Sequence, residues 1–317
     1  MLFACEPMWC FSMPKYQATS EYYPAVTHPP QQNPRNYQRF VLTPVSGALG
    51  AEINGLDVRD MDSSTFAELD AALIDHLVLF IRDQVLEPAH LVSFANRFGT
   101  PVSYPTSVPM PGYPVITEFR SDPDTVYNFG GNWHTDSMFL ECPPKFTILY
   151  NMECPAIGGD TSYANQYLAW DTLPPDLKQE MEDRLAVNSS ILGYLGLPKP
   201  DDRLANPVTY SDESSDAWNI ENAHPVGRTH PVTGRKALYV TNGYTARFEG
   251  MSQAESLPLL RRLFEHAVLP NFTCRFKWSE GTVAIWDNRC CMHFPHNDYQ
   301  GQSRAMRRVI VKGERPV

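Results

Sequence analysis

The chain has 317 residues, of which 43% are hydrophobic and 12% aromatic, enough to bury the core of one elaborated domain or two smaller ones. The formal net charge of -10, without a run of Lys or Arg, argues against binding to nucleic acid or an anionic membrane surface. The longest apolar run, HLVLFI at 76–81, is too short to span a membrane, and the N-terminus lacks the features of a secretory signal. Seven scattered cysteines without a C-x-x-C pair are typical of reduced thiols, so we expect a cytoplasmic protein.

The chain is predicted to form an arm and one domain. Residues 1–38 are rich in Pro, Gln and Tyr and show no periodicity, which favours a loosely ordered arm. Residues 39–317 are predicted to form a single domain, with an inserted flap at about 186–222. The flap is predicted from the acidic, polar stretch at 199–216, and the alternative is that this stretch is an ordinary surface loop.

The first elements are predicted from helical spacing and from an apolar run. SSTFAELDAALIDH at 63–76 places apolar residues at helical spacing and opens with the capping-box pattern Thr65-x-x-Glu68. HLVLFIRD at 76–83 is typical of a buried strand. EPAHLVSFANRFG at 87–99 predicts a second helix that stops at its final glycine.

Beyond residue 100, short segments that alternate with period two favour a β-sandwich or barrel. Helices are predicted near 174–186 and at 252–267, the latter opened by the box Ser252-x-x-Glu255. The predicted strands are KFTILYNM (145–152), KALYVTN (236–242), CRFKWSEG (274–281), TVAIWDN (282–288) and RRVIVKG (307–313).

His134 and Asp136 are separated by one residue in the aromatic stretch GNWHTDSMFLE. In a strand, such side chains project from the same face. An imidazole and a carboxylate on one face match two members of the 2-His-1-carboxylate triad of non-haem Fe(II) oxygenases. The alternative is a structural hydrogen bond between the two side chains.

A third ligand is expected from a histidine far along the chain, because distant strands face each other across a barrel. The other histidines lie in the arm, beside helices or near turns, which leaves His293 and His296 in WDNRCCMHFPHNDY. We favour His293 because it follows a strongly apolar strand and its turn. It is also separated from Pro295, whereas His296 comes directly after this proline, which cannot donate a backbone hydrogen bond to a neighbouring strand.

Arg304 and Arg308 share one face of the last predicted strand. Buried arginines are unfavourable unless each meets an anion, so the pair predicts two anionic groups near the metal. One would be the distal carboxylate of a 2-oxo acid and the other an anionic substrate. The alternative is a solvated basic strand.

Together these residues resemble the taurine and 2,4-dichlorophenoxyacetate (TauD/TfdA) family of Fe(II)- and 2-oxoglutarate-dependent dioxygenases. The resemblance extends from about residue 40 to the C-terminus. Its motifs are HTD at 134–136, Thr161 in GGDTSYA, HPVGRTHPVTGRKALYV, WDNR, His293, and Arg304 in SRAMRR.

The resemblance implies an α+β, mainly β fold: a double-stranded β-helix (jelly roll) core with surrounding helices. It implies Fe(II), 2-oxoglutarate and O₂ as cofactor and co-substrates, and release of succinate and CO₂. The implied roles are iron ligation by His134, Asp136 and His293, binding of the distal 2-oxoglutarate carboxylate by Thr161 and Arg304, and binding of the substrate anion by Arg308.

The implied substrate is a small anionic organic molecule, which is hydroxylated, desaturated, or cleaved at a C–S, C–O or C–N bond after hydroxylation. Tyr104 stands where taurine dioxygenase has a sulfonate-binding histidine, and Ser107 replaces a nearby tyrosine, so taurine itself is not expected. Tyr104 and Tyr244 are candidate substrate-pocket residues, with ordinary core packing as the alternative.

Two other functions were considered for this ligand set. A zinc hydrolase could use the same two histidines and aspartate, and a catalytically silent jelly-roll protein could bind ligands without turnover. Arg304 argues against the hydrolase, which has no need of a second carboxylate-binding cation. We also expect a homo-oligomer, from the prevalence of symmetric assemblies.

Overall fold

The structure is a computed structural model that describes residues 35–104, 107–125, 131–194 and 219–317. Residues 1–34 of the predicted arm and 195–218 of the predicted flap lie outside the described residues. At the end of the arm, Arg35 forms an ion pair with Asp75 at 3.1 Å, and the Tyr37 hydroxyl donates to the same carboxylate at 2.8 Å. This end of the arm is therefore attached to the domain.

Within the described ranges the chain forms a strand-rich core with helices packed on both of its sides. None of these helices has the length and apolarity needed to cross a bilayer. The α-helices are α1 (Ser63–His76), α2 (Pro88–Phe98), α3 (Gln166–Asp171), α4 (Pro175–Met181), α5 (Ser190–Tyr194) and α6 (Gln253–Ala267), followed by a short 3-10 helix (Pro270–Phe272). The strands are β1 (Val41–Pro44), β2 (Ala51–Asn54), β3 (Val78–Ile81), β4 (Pro101–Val102), β5 (Ile116–Ser121), β6 (Phe146–Glu153), β7 (Thr161–Asn165), β8 (Leu185–Ser189), β9 (Glu221–Pro225), β10 (Gly227–Thr229), β11 (Lys236–Leu238), β12 (Thr245–Phe248), β13 (Thr273–Phe276), β14 (Val283–Asp287), β15 (Cys291–Pro295) and β16 (Arg304–Val311).

Helix α1 has the predicted extent but begins differently. Asp62, and not Thr65, is its N-cap: the Asp62 carboxylate accepts the backbone N–H of Thr65 at 2.7 Å. Glu68 accepts instead from the backbone N–H groups of residues 38 and 39, and so holds the incoming chain against the helix. The capping box predicted at Ser252 is present at the start of α6.

Two sheets form the core of the domain. The main sheet has the order β1-β2-β3-β14-β6-β16-β4, with β5 also paired to β16, and the second sheet has the order β13-β7-β15. Smaller sheets, β12-β8-β9 and β10-β11, extend the structure. This arrangement, with helices against the main sheet, is the predicted jelly-roll core.

Period-two alternation assigns the side chains of the main sheet to two compartments. On β14, Val283 and Ile285 pack with the residues of α1 and α2, whereas Ala284 and Trp286 pack with residues of the second sheet. Strand β16 alternates in the same way, with Met306 facing the second sheet and Val309 facing the helices. Side chains that point into the space between the main sheet and the second sheet are therefore the ones that can contact a ligand there.

The predicted flap is narrower at its start than expected. The helix predicted over 174–186 ends at Met181, and β8 follows immediately, with Ala186 and Val187 buried. Strand β8 pairs antiparallel with β9, which begins at Glu221. Pairing of β8 with both β9 and β12 and the burial of four consecutive residues thus override the helix predicted for 182–186. The described residues at both ends of the flap belong to the domain.

Candidate active site

A cavity of about 630 Å³, counting its open mouth, lies between the main sheet and the second sheet. The main sheet contributes side chains from β5, β6, β14 and β16, and the second sheet contributes side chains from β7 and β15. Six of the eight predicted site residues border it: His134, Asp136, Thr161, His293, Arg304 and Arg308.

The segment that carries His134 and Asp136 is not the regular strand predicted from the sequence. His134 forms a single antiparallel bridge with His293, whose backbone N–H donates to the His134 carbonyl at 2.9 Å and whose carbonyl accepts from His134 at 3.0 Å. The backbone then turns, and Ser137 has a φ of 46°. The turn aims both side chains into the cavity without a strand ladder.

Three potential metal ligands converge at this bridge. The donor atoms of His134, Asp136 and His293 all lie within 4.8 Å of one another. His134 Nε2 is 3.8 Å from Asp136 Oδ1, and the two imidazole rings have their centroids 4.1 Å apart. His296, the other candidate ligand, is not part of this group: its Nε2 forms a hydrogen bond with Ser162 Oγ at 2.8 Å.

The protonation states of this group suit metal binding. Burial lowers the pKa of His134, and burial together with the neighbouring His134 lowers the pKa of His293 to about 3. Burial alone would raise the pKa of Asp136, but attraction to His293, Arg308 and His134 lowers it overall. Two neutral imidazoles and one carboxylate are the forms in which these side chains bind a divalent metal.

The ring nitrogens also leave ligand positions open. His134 Nδ1 lies 2.8 Å from the carbonyl oxygen of Asn132, which leaves Nε2 directed toward Asp136. The His293 ring makes no hydrogen bond with any other described residue, and its Nδ1 is buried. A donor set of this kind, buried and incompletely satisfied, fits a divalent metal of the Fe(II) class.

A chain of hydrogen bonds holds the Asp136 carboxylate. Thr147 Oγ1 donates to Asp136 Oδ2 at 2.6 Å, Asn288 Nδ2 donates to Thr147 at 2.8 Å, and Trp286 Nε1 donates to Asn288 at 2.9 Å. These supporting residues were not predicted. In the sequence these residues are distinguished only by lying on the inward face of a strand or at its end. Many other residues share that property, so the sequence alone does not identify them.

The Arg304 end of the cavity is cationic and polar. The Arg304 guanidinium forms no ion pair with any described residue, and its buried Nε has no hydrogen-bond partner among them. Thr161 accepts the indole N–H of Trp278 at 3.0 Å, so its own hydroxyl hydrogen remains available. The turn before Thr161 uses Gly158 at φ 83°, where a Cβ would lie 2.3 Å from the Asp298 carbonyl oxygen, so a glycine is required there.

The other end of the cavity holds a buried arginine among aromatic rings. The Arg308 guanidinium carbon lies 3.9 Å from the ring centroid of Tyr104 and 4.6 Å from that of Phe119. Its Nη1 is 3.6 Å from Asp136 Oδ1. A guanidinium fixed in this way beside the metal ligands can orient an anion next to them.

The two predicted tyrosines lie behind the cavity wall and do not border the cavity formed by the described residues. Tyr104 contacts the face of Arg308, and Tyr244 packs with its ring 6.1 Å from His134 and 5.2 Å from Phe139. Substrate contact by either tyrosine stays a prediction. The structure supports a role in holding Arg308 and His134.

Strand β5 was missed in the sequence because the two apolar residues of ITEFRS, Ile116 and Phe119, are three positions apart and give no period-two signal. It brings Phe119 and Ser121 to the cavity, and Ser121 Oγ lies 3.4 Å from the hydroxyl of Tyr299, whose ring underlies Arg304. Phe119 and Ser121 share a face of β5, but the pairing of β5 with β16 is needed to reveal this.

A second buried group, outside the cavity, also has metal-like composition. Donor atoms of His230, Asp287 and Cys290 lie within 4.8 Å of one another. Asp287 is fully engaged: Arg289 donates to both carboxylate oxygens at 2.8 and 2.7 Å, and His230 Nε2 is 3.0 Å from Oδ2. A guanidinium already occupies the position that a cation would take.

The chain is similar to known proteins over most of its length. The family model described as "Taurine catabolism dioxygenase TauD, TfdA family" matches residues 42–310. The chain is 37% identical to the alkylsulfatase of Acinetobacter baylyi, over 89% of this chain and 87% of that protein. It is also 37% identical to the alpha-ketoglutarate-dependent sulfate ester dioxygenase of Pseudomonas putida, over 86% of this chain and 90% of that protein.

Among solved structures, a taurine dioxygenase from Burkholderia xenovorans superposes with a TM-score of 0.72 at 30% identity. The match covers 88% of this chain and 93% of that chain. The family model and both relatives span most of the sequence. The range matched by the family model includes all six cavity-bordering site residues. The chain therefore belongs to the TauD/TfdA family of dioxygenases.

Proposed function

We propose that this TauD/TfdA-family dioxygenase binds Fe(II) through His134, Asp136 and His293 and oxidises a small organic sulfate ester, using 2-oxoglutarate and O₂. The observation that carries the proposal is the position of two arginines, Arg304 and Arg308, on one strand face beside a buried His-Asp-His group. Each arginine can bind its own anion, because no carboxylate in the cavity pairs with Arg304 and only Asp136, at 3.6 Å, lies near Arg308.

The charges in the cavity favour a monoanionic substrate. Arg304 and Arg308 contribute two positive charges, a divalent metal contributes two more, and Asp136 contributes one negative charge. The 2-oxoglutarate dianion reduces this excess to one positive charge, and a single monoanion would neutralise it. Sulfate monoesters, sulfonates and carboxylates meet this condition, whereas a phosphate monoester dianion exceeds it.

Bound Fe(II), with 2-oxoglutarate and O₂, supplies the oxidising chemistry, in which 2-oxoglutarate becomes succinate and CO₂ while one oxygen atom enters a substrate C–H bond. Asp136 stays ionised because Thr147 donates to it and Arg308 lies beside it. Arg304 and Thr161 orient the distal carboxylate of 2-oxoglutarate. Arg308 orients the substrate anion, and the surrounding aromatic side chains exclude water from the reacting carbon.

Two relatives that cover most of this chain act, by their names, on sulfate esters, which supports that substrate class. Hydroxylation of the carbon attached to the ester oxygen gives a product that separates into an aldehyde and sulfate. The environment of Arg308 also supports a substrate other than taurine: Tyr104 covers the guanidinium, and the Ser107 hydroxyl pairs with Thr117 at 2.9 Å instead of facing the cavity. The zinc hydrolase and the silent binding protein are less well supported, since neither accounts for Arg304.

The test is an anaerobic titration with Fe(II) and 2-oxoglutarate, monitored by the visible metal-to-ligand charge-transfer band. O₂ is then added with hexyl sulfate, taurine or phenoxyacetate, and succinate and released sulfate are measured. The expected result is a band, with succinate and sulfate formed in equal amounts from hexyl sulfate. Absence of the band overturns the iron site, and succinate formation with taurine but not with hexyl sulfate overturns the substrate class.

A further inference from the structure

Tyr163, on β7, is a buried tyrosine that borders the cavity and has an unpaired hydroxyl. Its side chain is fully buried, and its Oη makes no hydrogen bond with any described residue. Buried tyrosine hydroxyls normally find a partner. A phenylalanine would fill the same space without leaving a polar group unsatisfied, so the hydroxyl is expected to have a partner other than the described residues.

The position of Tyr163 on β7 places it along the proposed path of 2-oxoglutarate. It lies two residues after Thr161, on the same face of the strand. In the neighbouring strand its register partner is His293, and the two rings are nearly parallel, with centroids 6.2 Å apart. Tyr163 therefore lies between the proposed metal ligands and the cationic end at Arg304.

The Tyr163 hydroxyl makes no hydrogen bond with its described neighbours, which include the Cys274 and Cys291 thiols. Phe80 and Trp286 contact the Tyr163 ring edge to face, and the Trp286 N–H is already donated to Asn288. Arg304, which borders the same cavity, is likewise a buried donor without an acceptor among the described residues. Two unsatisfied donors at one cavity are complementary to the oxygens of an anion.

We propose that the Tyr163 hydroxyl donates a hydrogen bond to the distal carboxylate of 2-oxoglutarate, alongside Arg304 and Thr161. This inference rests on the proposed function, because it takes 2-oxoglutarate to be the ligand of the Arg304 end. Tyr163 then has a direct role in selecting a dicarboxylate over a monocarboxylate 2-oxo acid. A packing role alone would give no such selectivity.

The experiment compares Tyr163→Phe with the wild type and with Tyr167→Phe, all in the full chain. Tyr167 is a matched control because it is also buried, but its hydroxyl bonds to Thr233 away from the cavity. The dissociation constants of 2-oxoglutarate and of 2-oxopentanoate, which lacks the distal carboxylate, are measured anaerobically with Fe(II) from the charge-transfer band. Thermal unfolding checks that each variant is folded.

In Tyr163→Phe, 2-oxoglutarate should bind about tenfold more weakly, as expected for loss of a hydrogen bond to a charged group, while 2-oxopentanoate binding changes less than about twofold. The KM for 2-oxoglutarate should rise with little change in kcat. Unchanged binding of 2-oxoglutarate, equal weakening of both ligands, or the same effect in Tyr167→Phe would overturn the inference. If the wild type gives no band, the proposed function itself has failed, which is a different result.

Discussion

The molecule contains two buried groups of similar composition that differ in how completely they are hydrogen bonded. In the first, His134, Asp136 and His293 face a cavity, and the His293 ring has no hydrogen-bond partner among the described residues. In the second, Asp287 is held by Arg289 through two hydrogen bonds and by His230 through a third. Both groups contain an imidazole and a carboxylate, and the second has the Cys290 thiol in place of a second imidazole.

This difference separates a ligand site from a structural network. The Asp287 carboxylate already has its counterion in the Arg289 guanidinium, which is 4% exposed and cannot be replaced by solvent without burying an unpaired charge. Asp136 has Arg308 only at 3.6 Å, and two imidazoles beside it retain free nitrogens. The donor atoms of each group lie within 4.8 Å of one another, so distance does not distinguish the groups, whereas hydrogen-bond saturation does.

The largest expected effect comes from removing a ligand of the first group. His134→Ala should abolish O₂-dependent succinate formation and weaken Fe(II) binding more than about 100-fold, since loss of a supporting residue alone costs 10 to 100-fold. Binding is measured by anaerobic titration and turnover by succinate release. The matched change in the second group, His230→Ala, should lower stability but leave Fe(II) bound to the folded protein. Equal loss of Fe(II) in both variants would contradict the distinction.

Breaking the second group should affect folding more than chemistry. Asp287→Asn leaves the Arg289 guanidinium buried without a carboxylate, so the free energy of unfolding should fall by about 3–5 kcal/mol. Urea-induced unfolding measures this change. The folded fraction should still show the charge-transfer band with Fe(II) and 2-oxoglutarate. A variant as stable as the wild type would show that the ion pair is not structural.

Removing the cation at the far end of the cavity should affect one ligand. Arg304→Met eliminates the guanidinium while keeping an unbranched side chain, and 2-oxoglutarate should bind about 30-fold more weakly because charged hydrogen bonds are lost. Fe(II) binding in the absence of 2-oxoglutarate should change little. Isothermal titration with each ligand separates the two effects, and a matching loss of Fe(II) affinity would argue that Arg304 acts through the fold.

A smaller effect is expected from the residue that supports Asp136. Thr147→Val removes the 2.6 Å hydrogen bond to the carboxylate with almost no change in volume, and the Fe(II) affinity should fall about tenfold. The anaerobic Fe(II) titration detects this change. Thr117→Val, another buried threonine on a strand but without contact to the ligands, is the control and should retain wild-type affinity.

The smallest effect concerns acid stability. Burial alone would raise the pKa of Asp287, but Arg289 and His230 lower it overall, below its ordinary value. The folded state therefore gains stability from the ionised carboxylate above about pH 4 and loses it as the pH falls below that value. Unfolding measured in urea between pH 7 and pH 3 should show a shallower acid-induced loss in Asp287→Asn than in the wild type. Identical pH dependence would exclude this contribution.

The sequence predicted much of the cavity because alternation on strands is a local property. Arg304 and Arg308 share a face of β16, and both border the cavity, as the spacing indicated. The same reasoning gave the wrong backbone for His134 and Asp136, which lie on a bridge and a turn. A turn can aim two side chains at one point as a strand does, so the pair could be identified without its conformation.

The sequence by itself determined which residues have the chemistry for a metal and two anions, since side-chain type and spacing are written in the chain. Only the tertiary structure decided which buried histidine and aspartate remain open to a ligand and which are closed by an arginine. It also revealed Thr147 as the support of Asp136 and Tyr163 as a donor without a partner. The physical reason is that hydrogen-bond saturation depends on which side chains the fold brings together: His230 lies 57 residues from Asp287, and Asn288 lies 141 residues from Thr147.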